Sequence, residues 1–94
     1  MKNFQFEIEK VKNLVLNEIE HKENRPNYIL EEQLYLILSE LEKMDRIRNV
    51  RLFCPYYPHA ITDSWDYSNP LGKKLLELFG LYRKLFSVSN ENGI

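Results

Sequence analysis

The chain reads as an all-α protein. Three helices, at about residues 4–22, 28–48 and 70–87, form an antiparallel bundle, and an aromatic, irregular segment at about 50–69 closes it, with room for a short fourth helix. Three observations predict this. Apolar residues recur at helical spacing through three long stretches. Only three glycines are present, few for a sheet with many hairpins. The stretch Phe53 to Gly72, FCPYYPHAITDSWDYSNPLG, gathers three of the four prolines, the only cysteine, the only tryptophan and three of the six tyrosines into one connection.

The 94 residues form one helical domain, 1–94, long enough to bury roughly 60–65% of its unfolded surface. With 44% hydrophobic and 29% charged residues, the composition is that of a soluble globular domain. A formal net charge of −1 argues against nonspecific nucleic-acid or anionic-membrane binding, which needs a basic excess. A single cysteine, Cys54, excludes an internal disulfide. The start MKNFQFEIEKVKN is not a signal peptide, and no run of about 18 apolar residues is present to span a membrane. The expected location is the cytoplasm.

In the first helix Phe4, Ile8, Val11, Val15 and Ile19 fall in one arc at about 100° per residue, with Leu14 and Leu16 beside it. Asn3 is its cap, and Glu18 with Lys22 makes an i,i+4 pair. His21 sits where a helix end offers free carbonyls. The connection HKENRPN is short and charged, and Pro26 disfavours helix at Arg25. A link of that length joins antiparallel neighbours.

The second helix, capped by Asn27, has a main face of Leu30, Leu34, Ile37, Leu38, Leu41 and Met44. A second stripe, Ile29, Leu36 and Ile47, lies nearly opposite. Two apolar faces mean that the aromatic segment folds over the second one, or that it meets another chain. Asn49 ends the helix. Val50 to Phe53 is either a last turn or a few extended residues.

Pro55 and Pro58 block helix over the first part of the aromatic segment, while Ile61 to Asp66 has room for one turn capped by Thr62 or Asp63. The third helix starts at Ser68 or Asn69, with Pro70 at its first helical position. Leu71, Leu75, Leu78, Tyr82 and Leu85, widened by Leu76, Phe79 and Phe86, give it an apolar arc of roughly 200°, wider than a usual stripe. Val88 to Ile94 is a polar tail.

No P-loop, dinucleotide fingerprint, CxxC pair or HExxH is present, so no catalytic residue, metal site or cofactor is assigned. Three weaker constellations are weighed. Cys54 and His59 resemble a nucleophile and base, but two prolines separate them; a buried, inert Cys54 is the expectation. His59, Asp63 and Asp66 offer ligands for a divalent ion, and the same aspartates serve equally as caps and turn residues. Lys73, Lys74, Arg83 and Lys84 could face phosphate, or simply water.

The aromatic group and its acids, Tyr56, Tyr57, Asp63, Trp65, Asp66 and Tyr67, are the binding candidates, because Tyr, Trp and flanking charges build protein-binding hot spots. They also suit a lid over open helices. In size, acidic helices and lack of a reactive site, with DSWDYSNPLG as its distinctive text, the chain resembles the small helical immunity proteins that Gram-positive bacteria use against bacteriocins or polymorphic toxins. The resemblance lies in the helical outline and carries over no functional residues. It implies a non-enzymatic protein that occupies a toxin partner. A homodimer through the second stripe is the other association considered. The alternatives are a small metal- or phosphate-dependent enzyme using His59, Asp63 and Asp66, and a helical nucleic-acid-binding regulator using the basic face of the last helix.

Overall fold

The computed structural model describes residues 3–87, which form four α-helices and no strand. They are α1 (Phe4–Glu20), α2 (Glu31–Ile47), α3 (Tyr57–Ser64) and α4 (Pro70–Phe86), with a short 3₁₀ turn at Lys22–Asn24. The polar tail from Val88 to Ile94 lies outside the described residues. No helix among them is long and apolar enough to cross a membrane.

α1 packs against α2 and α4, and α3 lies on α4 and α2. One continuous core joins them. Ile8, Val15, Leu34, Ile37, Leu41, Met44, Leu75 and Tyr82 are fully buried in it. Removing such side chains from water contributes about 1.5–3 kcal/mol each. The predicted stripe of α1 is the buried set, from Phe4 to Ile19. Asn3 caps it as expected, its side chain accepting from the Phe6 amide at 3.2 Å.

α1 stops two residues earlier than its pattern predicts. His21 closes it, with Nδ1 2.8 Å from the Asn17 carbonyl oxygen. Arg25 reaches back and donates to the carbonyls of Ile19 (3.1 Å) and Glu18 (3.3 Å). Two side chains thus satisfy acceptors that a helix end leaves open. With the helix over, Lys22 is no longer one turn from Glu18 and pairs instead with Glu31 at 3.6 Å.

α2 also starts late. Asn27 does not cap it; Asn27 and Tyr28 form a turn, and the Ile29 amide donates to the Pro26 carbonyl. Leu30 stands at the cap position without a side-chain bond, and is exposed rather than part of the main face. Two side chains explain the delay: Ile29 is buried in the core and Tyr28 packs toward Trp65. At the other end Arg48 is left-handed, at φ 50°, outside the helix rather than in its last turn. Its guanidinium holds the Asp45 carboxylate at 2.6 Å and lies over the Phe4 ring at 5.4 Å. Asn49 then accepts from the amides of Arg51 and Leu52, so Val50 to Leu52 forms a turn outside the helix rather than a few extended residues.

The largest correction concerns prolines. α3 begins at Tyr57 and contains Pro58 in its first turn, so helix runs through the second proline, while Pro55 stays outside it as expected. The first-turn amides of a helix have no intrahelical acceptor, so a proline there sacrifices no bond. α4 follows its prediction closely, with Asn69 accepting from the Gly72 amide at 2.9 Å and Pro70 opening the helix. Leu85, however, is exposed.

Candidate functional site

The aromatic segment divides into a buried half and an exposed half. Tyr57 is 2% exposed and Trp65 5%, whereas Tyr56 is 68% exposed and Tyr67 92%. Asp63 and Asp66 are exposed as well. The six candidate residues therefore form no single patch: Tyr57 and Trp65 belong to the core, the other four to the surface.

The buried pair fastens the lid. The Tyr57 hydroxyl donates to the Leu75 carbonyl of α4 at 2.9 Å. Its burial, with the Glu40 carboxylate as a smaller contribution, pushes that hydroxyl far above the ordinary tyrosine range. The Trp65 indole N–H donates to Gln33 of α2 at 2.8 Å. Asn69 donates to the Tyr28 hydroxyl at 3.2 Å. Both ends of α3 are thus tied to neighbouring helices.

Its start depends on a residue that sequence reasoning missed. Glu40, on α2, accepts from the backbone amides of Tyr56 (2.9 Å) and Tyr57 (2.8 Å). A carboxylate at a helix N-terminus satisfies free donors and meets the positive end of the helix dipole. Tyr56 itself offers no side-chain cap, so the acceptor comes from another element. No local signal reveals it, because Glu40 stands sixteen residues before Tyr56.

Asp66 works locally. Its carboxylate accepts from the Ser68 amide (2.9 Å) and hydroxyl (2.7 Å), which shapes the turn into α4. Those bonds hold it below the usual aspartate range. His59, Asp63 and Asp66 do not converge, and among the described residues no group of three or more His, Cys, Asp or Glu is placed to hold a metal ion. Cys54 is exposed, not buried. It borders an open groove of about 640 Å³ together with His59, Phe79 and Arg83. The His59 ring pairs with Tyr56, centroids 5.5 Å apart.

A second groove, of about 380 Å³, runs between α2 and α3. Leu36, Ile37, Tyr56, Tyr57 and Ala60 supply its apolar lining, and Gln33, Glu40 and Lys43 its polar edge. It explains the second stripe of α2. Ile29 is buried at one end and Ile47 is half-buried at the other, while Leu36, between them, is 66% exposed. α3 lies beside Gln33 and Glu40 and leaves Leu36, in the middle of the stripe, uncovered. Lys73, Lys74, Arg83 and Lys84 line the exposed side of α4, with Lys74 3.9 Å from Glu77.

The chain matches no protein-family model, no curated protein and no solved structure.

Proposed function

We propose that the chain is a non-enzymatic protein-binding module, of the kind represented by immunity proteins that occupy a toxin. The observation that carries this reading is the uncovered middle of the α2 stripe, where Leu36 and Tyr56 stand exposed on either side of a groove. Exposed apolar and tyrosine side chains around a concave surface are what protein interfaces use as anchors. In this reading Tyr56, Tyr67, Asp63 and Asp66 contact the partner, while Tyr57 and Trp65 hold the surface in place.

The scaffold we infer is a bundle whose consecutive helices alternate in direction. Two sets of contacts support it. The Arg48 guanidinium, just past the end of α2, lies over the ring of Phe4 at the start of α1, 5.4 Å from its centroid. Phe4, at the start of α1, packs edge-on against Phe86 at the end of α4, centroids 5.0 Å apart.

Co-expression with the product of the adjacent gene tests the function. The expected result is a stable complex that co-purifies, with relief of any growth defect that product causes alone. The Leu36→Lys variant should melt like the parent and lose the complex. No complex and no relief of toxicity removes the reading.

A further inference from the structure

We propose that the open groove between α3 and α4 receives an acidic segment of a protein partner, with a partner carboxylate on the Arg83 guanidinium. This rests on the protein-binding reading above and specifies a second contact, on the other side of α3: Ala60 lines the first groove, Pro58 and His59 this one. The groove measures about 640 Å³. Leu76 and Phe79 of α4 and Pro58 of α3 give it an apolar lining, and Arg83, His59 and Cys54 add polar groups. A cleft this open suits a segment of chain better than a small molecule, which binds where most of its surface is enclosed.

Charge selects the segment. The lining holds one guanidinium, one imidazole and one thiol, and no carboxylate, although the whole chain has a formal net charge of −1. Arg25 and Arg48 are engaged by Glu31 and Asp45, whereas Arg83 makes no ion pair among the described residues. It lies instead over the Phe79 ring, 5.6 Å from the centroid. A guanidinium stacked on a ring keeps its N–H edge open to a carboxylate, which it binds through two parallel bonds. The surrounding charges do not cancel it. Arg51 stands in the turn that leads to Cys54, and Lys84 follows Arg83 on α4. The acid of α4, Glu77, is 3.9 Å from Lys74, and the first acid beyond His59 on α3, Asp63, lies outside the lining.

An acidic segment with an apolar side chain fits both features: the apolar group covers Leu76 and Phe79, and the carboxylate meets Arg83. The His59 ring pairs with Tyr56, centroids 5.5 Å apart, so the two grooves meet at the first turn of α3 and one partner reaches both.

The only cysteine of the chain lines this groove, so its alkylation reports occupancy. The full chain is titrated with a synthetic peptide alternating aspartate and phenylalanine, and the rate at which iodoacetamide, a neutral reagent, modifies Cys54 is followed. A peptide with lysine in place of each aspartate is the control. The expected result is saturable slowing by the aspartate peptide alone, relieved as salt is raised. Arg83→Met keeps an apolar stem over Phe79 and should weaken the protection about tenfold without changing the melt. Arg83→Glu should transfer the preference to the lysine peptide. Equal protection by the two peptides, protection by neither, or indifference to Arg83→Met overturns the proposal. So does slowing of alkylation as the protein is concentrated without peptide, which would put a second copy in the groove. A co-expressed partner whose binding is lost in Leu36→Lys, yet tolerates Arg83→Glu and leaves Cys54 reactive, would leave the protein-binding reading standing and remove this one alone.

Discussion

Tyr56 and Tyr57 are chemically identical neighbours with opposite fates. One faces solvent and the other is core. Periodicity states that adjacent helical residues point about 100° apart. Which of the two points inward depends on where α3 begins, and Glu40 sets that from another helix. This is why both rings were legible as important and neither was legible as lid or contact. Tyr57 gives a pH-dependent prediction. The folded protein keeps its hydroxyl proton where the unfolded chain releases it, above about pH 10. Its contribution is therefore complete below that pH and falls as pH rises beyond it. Tyr57→Phe should cost about 1 kcal/mol near neutral pH, for the lost bond to Leu75. In denaturant titrations run across the alkaline range, the variant should lose stability less steeply than the parent; parallel curves would detach the alkaline loss from this residue. Trp65→Ala removes a ring 5% exposed and should cost about 3–5 kcal/mol, read from the shift in denaturation midpoint. A midpoint unchanged by this substitution would mean that the indole is not part of the core.

At the scale of elements, α1 and α4 were the most legible, because each carries its own cap: Asn3 for one, Asn69 with Pro70 for the other. The starts of α2 and α3 were not, because tertiary partners set them. Tyr28 and Ile29 are drawn into side-chain packing, so α2 begins beyond them, and α3 borrows its acceptor from α2. The two described glycines of α4 offer a check on how tightly α3 is seated. Alanine normally stabilises a helix interior by about 0.5–1 kcal/mol over glycine. At Gly80 an added Cβ meets nothing within 4 Å, so Gly80→Ala should raise the melting temperature by that amount of stability. At Gly72 it would stand 3.2 Å from the Trp65 ring and 3.5 Å from Ile61. Both neighbours are buried and have little room to yield. Gly72→Ala should therefore lower the melting temperature. Equal gains at both positions would show that α3 can shift outward at little cost.

For the whole molecule, the question is whether the lid and the long helices form one cooperative unit. The core is continuous: Tyr57, Ile61 and Trp65 belong to the same buried cluster as Ile8, Leu41 and Leu75. The α2–α3 connection is tied down too. The Tyr82 hydroxyl donates to the Phe53 carbonyl at 2.7 Å, and the Val50 amide donates to the Phe86 carbonyl at 3.1 Å. These bonds join the lid's approach to the far end of α4, so the lid has no free hinge on that side. Elements that share a core and its fasteners unfold together. The single tryptophan makes this measurable, because Trp65 lies just past α3 and reports on the lid, while far-ultraviolet circular dichroism reports mainly on the three long helices. In denaturant the two transitions should superimpose, with one midpoint and one slope. An earlier fluorescence transition would mean that α3 peels away while the other helices persist. The groove would then be a transient surface, since its wall at Tyr56 and Ala60 would open with the lid. Coincident transitions instead make it a pre-organised surface, in which a partner meets Leu36 and Tyr56 without first ordering them, so that little of the contact energy is lost to ordering the site.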